Sequence, residues 1–140
     1  MSIPKGITVE TANAFGREFL PGHLGLNFTA IERGRVVAEL TIAKHHVAPN
    51  GYLHAATVIA IADTAAGYGC VASLPEGAQS FTTINLNCNF LGTAREGTIR
   101  AEAKLRHGGR TIQHWDTEVF DPAGKLMATF RCTQMVLWPR

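Results

Sequence analysis

Residues 53–74, LHAATVIAIADTAAGYGCVASL, are apolar on every face of a helix and carry a single acid, Asp63, near their middle. A helix that is apolar all round belongs in an interior, covered on all its sides. A carboxylate is rarely buried without a partner, because desolvating the charge is costly. Asp63 therefore either meets a partner from elsewhere or lines a cavity where a perturbed carboxyl is useful. Thr64 stands beside it.

The segment approaches membrane-spanning length. Its acid, its histidine, its Thr and Ser residues and its reliance on alanine argue instead for a core helix and no membrane. With 140 residues, 46% of them hydrophobic and 17% charged, the chain suits one globular domain, 1–140. A net charge of +2 without a basic run gives no footprint for nucleic acid. Cys70, Cys88 and Cys132 are odd in number and widely spaced, which reads as reduced thiols in a cytoplasmic protein. The first residues, MSIPKGITVETANAF, lack the apolar stretch of a signal peptide.

Residues 8–19 predict a short N-terminal helix, weakened by Gly16. The stretch from His23 to His46 reads as two strands around Glu32-Arg33-Gly34-Arg35, followed by a loop with Pro49-Asn50-Gly51 turn chemistry. The long helix ends at Pro75-Glu76-Gly77. Beyond it the chain alternates strand after strand. In SFTTINLNCNFL, Phe81, Thr83, Asn85, Asn87 and Asn89 oppose Thr82, Ile84, Leu86, Cys88 and Phe90. The expected fold is α+β: a curved antiparallel sheet of five to six strands wrapped around one long central helix. One sheet cannot cover every side of that helix, so a homodimer is expected, with a dimer of dimers as its extension.

The first amides of a helix lack intrahelical partners and lie at its positive end, where they can hold a developing oxyanion. Here they belong to Ala55 and Ala56, small enough for a substrate to approach the backbone. Asp63 lies eight residues beyond Ala55. At the α-helical rise the two are about 12 Å apart along the axis. One helix cannot aim both at one small group, so joint action requires two subunits. The adjacent pair His45-His46 predicts side chains on opposite faces of an extended chain, and no third ligand has metal spacing, so no metal is expected. Trp115 and Trp138 read as core or interface aromatics.

Gly51-x-Leu53-His54-Ala55-Ala56, with Asp63 nine positions after His54, resembles the motif of the hot-dog fold acyl-CoA thioesterases. The resemblance is nearest to the branch of the phenylacetate-degradation thioesterases. Thr83–Ala94 resembles the following strand, and Arg106-His107-Gly108-Gly109-Arg110 the basic hairpin. The chain departs from the motif at Ala48, where the family has Asn, at Ala55-Ala56 in place of two glycines, and at Gly92-Thr93 in place of Arg-Pro.

The resemblance implies hydrolysis of a small or medium acyl-CoA, aromatic acyl groups included, with no cofactor beyond the coenzyme A of the substrate. The Ala55 N–H would polarise the carbonyl, and Asp63 of the facing subunit would act as base or nucleophile. Thr83 would place the water or the acid, and His54 and Asn50 would orient the thioester. Gly51, Ala56 and Thr64 would line the substrate, and Arg106 and Arg110 would hold the nucleotide phosphates. Two alternatives stand beside this reading: a hydroxyacyl-CoA dehydratase on the same fold, and a non-catalytic acyl-CoA binder.

Overall fold

A computed structural model describes residues 6–140; residues 1–5, where the segment read as lacking a signal peptide begins, lie outside it. The chain forms α1 (Val9–Phe15), α2 (Leu20–Leu24), β1 (Asn27–Glu32), β2 (Arg35–Thr41), a 3-10 turn (Lys44–His46), α3 (Ala55–Ala72), β3 (Ser80–Phe90), β4 (Thr98–Gly108), β5 (Ile112–Phe120) and β6 (Leu126–Leu137). Six strands make one antiparallel sheet in the order β1-β2-β4-β5-β6-β3, with α3 packed along its inner face. This is the expected hot-dog architecture, with six strands, within the five to six expected.

The core lies between α3 and the sheet. Val58, Ile61, Ala62, Ala65 and Ala66 meet Val36, Ala38, Leu40, Ile99, Ala101, Ala103, Trp115, Val119 and Phe130. The small residues of α3 have a packing reason. A Cβ on Gly69 would lie 2.5 Å from the Trp115 ring, and one on Gly67 would lie 3.3 Å from the Phe81 ring. Glycine at 69 lets the helix settle onto the Trp115 ring, and glycine at 67 leaves the Phe81 ring an uncrowded contact. Trp115 is fully buried, and its Nε1 donates to Gln113 Oε1 at 2.8 Å. Trp138, half-buried, donates from Nε1 to the Arg110 carbonyl.

Four local features differ from the sequence expectation. The N-terminal helix stops at Phe15, capped by Gly16, and a second short helix covers Leu20–Leu24. There Pro21 fits the first helical turn and Gly25 closes the end at φ 80°. β1 therefore starts at Asn27 rather than His23. His45 and His46 sit in the 3-10 turn, not an extended chain, and their rings lie side by side, 4.1 Å between centroids. His46 is committed to structure: Nδ1 accepts from Ala43 N, which leaves Nε2 to donate to Leu24 O.

The fourth difference matters most. β3 does not keep one alternation, because its register on β6 shifts between Thr83 and Asn85. Phe81 and Thr83 line a cavity beside α3, while beyond the shift Leu86 and Cys88 pair with inward-facing Cys132 and Phe130. Odd residues face inward before the bulge and even residues after it, as an inserted strand residue requires.

Candidate active site

His54 is the N-cap of α3, and its Nδ1 accepts from Ala56 N at 2.9 Å. That bond makes Nδ1 the acceptor, so the neutral ring carries its proton on Nε2. Thr57 N donates to His54 O. Ala55 N–H is the amide of this turn left without a partner among the described residues, and Ala55 is exposed. Asn50 Oδ1 accepts from Tyr52 N, and Gly51 turns the chain at φ 89° with open space where a Cβ would stand. Asn50 thus shapes the loop that delivers Ala55, and its amide NH2 has no partner among the described residues.

Asp63 sits in the middle of α3 with Oδ1 buried and unpartnered. Burial pushes its carboxyl above the ordinary aspartate value. It borders a cavity of about 270 Å³ with Thr64, Thr83 and a largely apolar wall: Ile7, Phe15, Gly67, Tyr68, Val71 and Phe81. Ala55 borders a different cavity of about 180 Å³, with Leu53, Val58, Phe90, Gly92, Thr93 and Met127.

Asp63, Thr64 and Thr83 are therefore brought together, and Gly51, His54, Ala55 and Ala56 form a second group at the helix start. Within one chain the two groups open to separate spaces.

The two hairpin arginines do not gather around one ligand. Arg106 ion-pairs with Asp116 at 3.4 Å in a groove on the outer face of the sheet. Arg110 stacks its guanidinium 4.1 Å over the Trp138 ring, in another groove near the end of α3. The sequence reading missed Arg95, whose guanidinium lies 4.4 Å over Tyr52, three residues before Ala55. Its position on the β3–β4 loop gave no periodic signal. Among the described residues no three His, Cys, Asp or Glu side chains gather in a way that could hold a metal ion.

An acid in a cavity and a free helix amide suit attack on an activated carbonyl. The thioesterase superfamily matches residues 50–128, the stretch that carries both groups. The chain belongs to the thioesterase superfamily. It is 32% identical over 134 residues to the 1,4-dihydroxy-2-naphthoyl-CoA hydrolase of Escherichia coli, covering 94% of this chain and 96% of that one. It is 28% identical to the proofreading thioesterase EntH of Klebsiella pneumoniae, over 98% of this chain and 99% of the relative. A crystal structure of a Haemophilus influenzae thioesterase superposes with a TM-score of 0.88 at 27% identity, covering 98% of this chain and 95% of that one. Thioester hydrolysis is the activity that membership of this family assigns.

Proposed function

We propose that the protein hydrolyses an acyl-CoA whose acyl group is an apolar ring or a chain of medium length, in sites shared between the two subunits of a homodimer. The observation that carries the reading is the buried, unpartnered Asp63 Oδ1 at the wall of an otherwise apolar cavity. That cavity, at about 270 Å³, is sized for one such acyl group. The relative named 1,4-dihydroxy-2-naphthoyl-CoA hydrolase agrees with an aryl acyl group.

The dimer rests on the two edges of the sheet. β1 is short, and Asn13 of α1 occupies its edge, donating to Phe28 O and accepting from Phe28 N. β3 is 11 residues long, pairs with β6 alone among the described residues, and exposes Ile84, Leu86 and Phe90, with Leu91 just beyond. A long apolar edge of this kind calls for a partner strand, and a second copy supplies one. Such a partner would bring its own Ala55 to this chain's Asp63.

In the shared site the Ala55 N–H of one subunit donates to the thioester oxygen. Asp63 of the other takes a proton as water attacks the carbonyl carbon. The carbon–oxygen bond forms and the carbonyl electrons move onto the oxygen held by Ala55. When the electrons return, the carbon–sulfur bond breaks and the thiolate recovers the proton from Asp63. His54 Nε2–H and the Asn50 amide supply further donors at the mouth. Arg95, beside that mouth, is better placed for the coenzyme's phosphates than Arg106 or Arg110, and Arg95→Ala should raise KM with little change in kcat. A dimer of dimers and a cytoplasmic location complete the proposal. The test is thiol release from a panel of aryl, short and long acyl-CoAs. The wild type should turn over at least one class and Asp63→Asn none. Thermal stabilisation by acyl-CoA without thiol release would instead identify a binder.

A further inference from the structure

Gln134 is fully buried on β6, directly across the sheet from Thr83, and the hydrolytic steps above make no use of it. A buried amide is costly unless its hydrogen bonds are made. Its Oε1 accepts from Thr83 Oγ1 at 2.7 Å, a short bond. Among the described residues its Nε2 has only the Cys132 sulfur, at 3.4 Å, a weak acceptor. A methionine of the same length would fill this space without the cost, so the amide is kept for the one good bond it makes.

That bond fixes which way Thr83 can work. A hydroxyl has one proton and two lone pairs. With its proton committed to Gln134, Thr83 presents only lone pairs to the cavity it shares with Asp63. The Asp63 carboxylate is an acceptor as well. Cys132, held at the other end of the Gln134 amide, lies close enough to feel the charge of Asp63, which adds to the burial that pushes its thiol up to about 12.

We infer that Gln134 is a positioning residue for the hydrolytic water. By taking the Thr83 proton, it makes Thr83 and Asp63 two acceptors facing one water, whose hydrogens they share and whose lone pair then points at the thioester carbon. Without Gln134 the Thr83 hydroxyl is free to donate to that same lone pair and compete with attack. This inference rests on the thioesterase reading.

The test is a cycle of Gln134→Met, Thr83→Val and the double variant, with Thr83→Ser as the conservative control and circular dichroism and melting as fold checks. Gln134→Met should lower kcat by about tenfold or more, as misplacing a reacting group does, with KM little changed. Thr83→Val should lose at least as much, and Thr83→Ser should keep most of the rate. The double variant should be no worse than Thr83→Val alone, because Gln134 acts only through that hydroxyl. A purely structural Gln134 would give additive losses that follow the melting temperature, and that result overturns the inference. If Gln134→Met does not fold, Thr83→Val decides, and a wild-type rate there overturns it. Gln134→Met at wild-type kcat, with Asp63→Asn inactive, removes this inference and leaves the thioesterase reading standing. A wild type that releases no thiol removes both.

Discussion

The two faces of this sheet treat their acids in opposite ways. On the outer face two half-buried carboxylates, Glu102 and Asp116, have cations around them. Glu102 meets Arg100 at 2.9 Å, Arg35 at 3.3 Å and Lys104 at 3.4 Å. Asp116 meets Arg131 at 2.5 Å and Arg106 at 3.4 Å. The hydrogen bond from Arg131 holds Asp116 below its ordinary value. Partial burial raises Glu102, and the bonds from Arg100 and Arg35 outweigh it, so Glu102 also ends low. On the inner face Asp63 has burial alone, and its carboxyl goes up. A fold able to surround two acids with arginines leaves Asp63 bare. A bare buried carboxylate costs stability, and it is also a better proton acceptor than a paired one.

The largest effect expected from this contrast is on turnover. Asp63→Asn should lower kcat by about a hundredfold or more, as loss of a general base does, while its melting temperature stays equal to or above that of the wild type. Asp116→Asn should leave kcat untouched. A folded Asp63→Asn protein at wild-type rate would erase the distinction between the two faces. Ala55→Pro is the matching change at the helix start. Proline is tolerated at the first helical position and removes only the N–H there. His54 already has the extended backbone, ψ 135°, that a following proline requires. Thiol-release kinetics should show about a hundredfold or greater loss, the range for one oxyanion donor.

The next effect is on pH. The base must be ionised, so kcat/KM should fall toward acid with a midpoint above the ordinary 3.8 of aspartate, and Asp116→Asn should not move it. Stability separates the two acids by sign. Asp63 keeps its proton to higher pH when folded than when unfolded, so its contribution falls as pH rises through that window. Asp116 does the reverse: its contribution is present above its unfolded value and is lost as pH falls through the lower folded value. Denaturant titrations of Asp63→Asn and Asp116→Asn against wild type across that range should diverge in opposite directions.

Smaller still are the packing and surface effects. Gly69→Val drives its side chain into the Trp115 ring and should cost about 1–3 kcal/mol. Asp116→Asn loses exposed ion pairs and should cost no more than about 1 kcal/mol at neutral pH. Both are read from denaturant midpoints.

Much of this was legible in the sequence. The lone acid in an apolar helix and the strand alternation predict the sheet and the helix, and they single out Asp63 and the helix start, on which the proposed site draws. What escaped prediction depended on distant contacts. The glycines of α3 read only as weak helix formers, because the Trp115 and Phe81 rings packed on them lie 46 and 14 residues downstream of Gly69 and Gly67. The β3 bulge was hidden because both phases of SFTTINLNCNFL hold apolar residues, so either face could be inward. Arg106 and Arg110 share a hairpin in sequence, yet they face different grooves. Gln134 read as one polar residue in a strand. Its meaning comes from Thr83, 51 positions away.

The central claim is that one subunit's Ala55 amide and the other's Asp63 carboxylate make one site. Heterodimers purified from co-expressed Ala55→Pro and Asp63→Asn chains, each with its own affinity tag, test it most directly. Sharing leaves one site with both changes and one with neither, so the heterodimer should recover about half the wild-type rate while both parent homodimers stay inactive. A verified heterodimer as inactive as its parents would place each site within one chain and contradict the account.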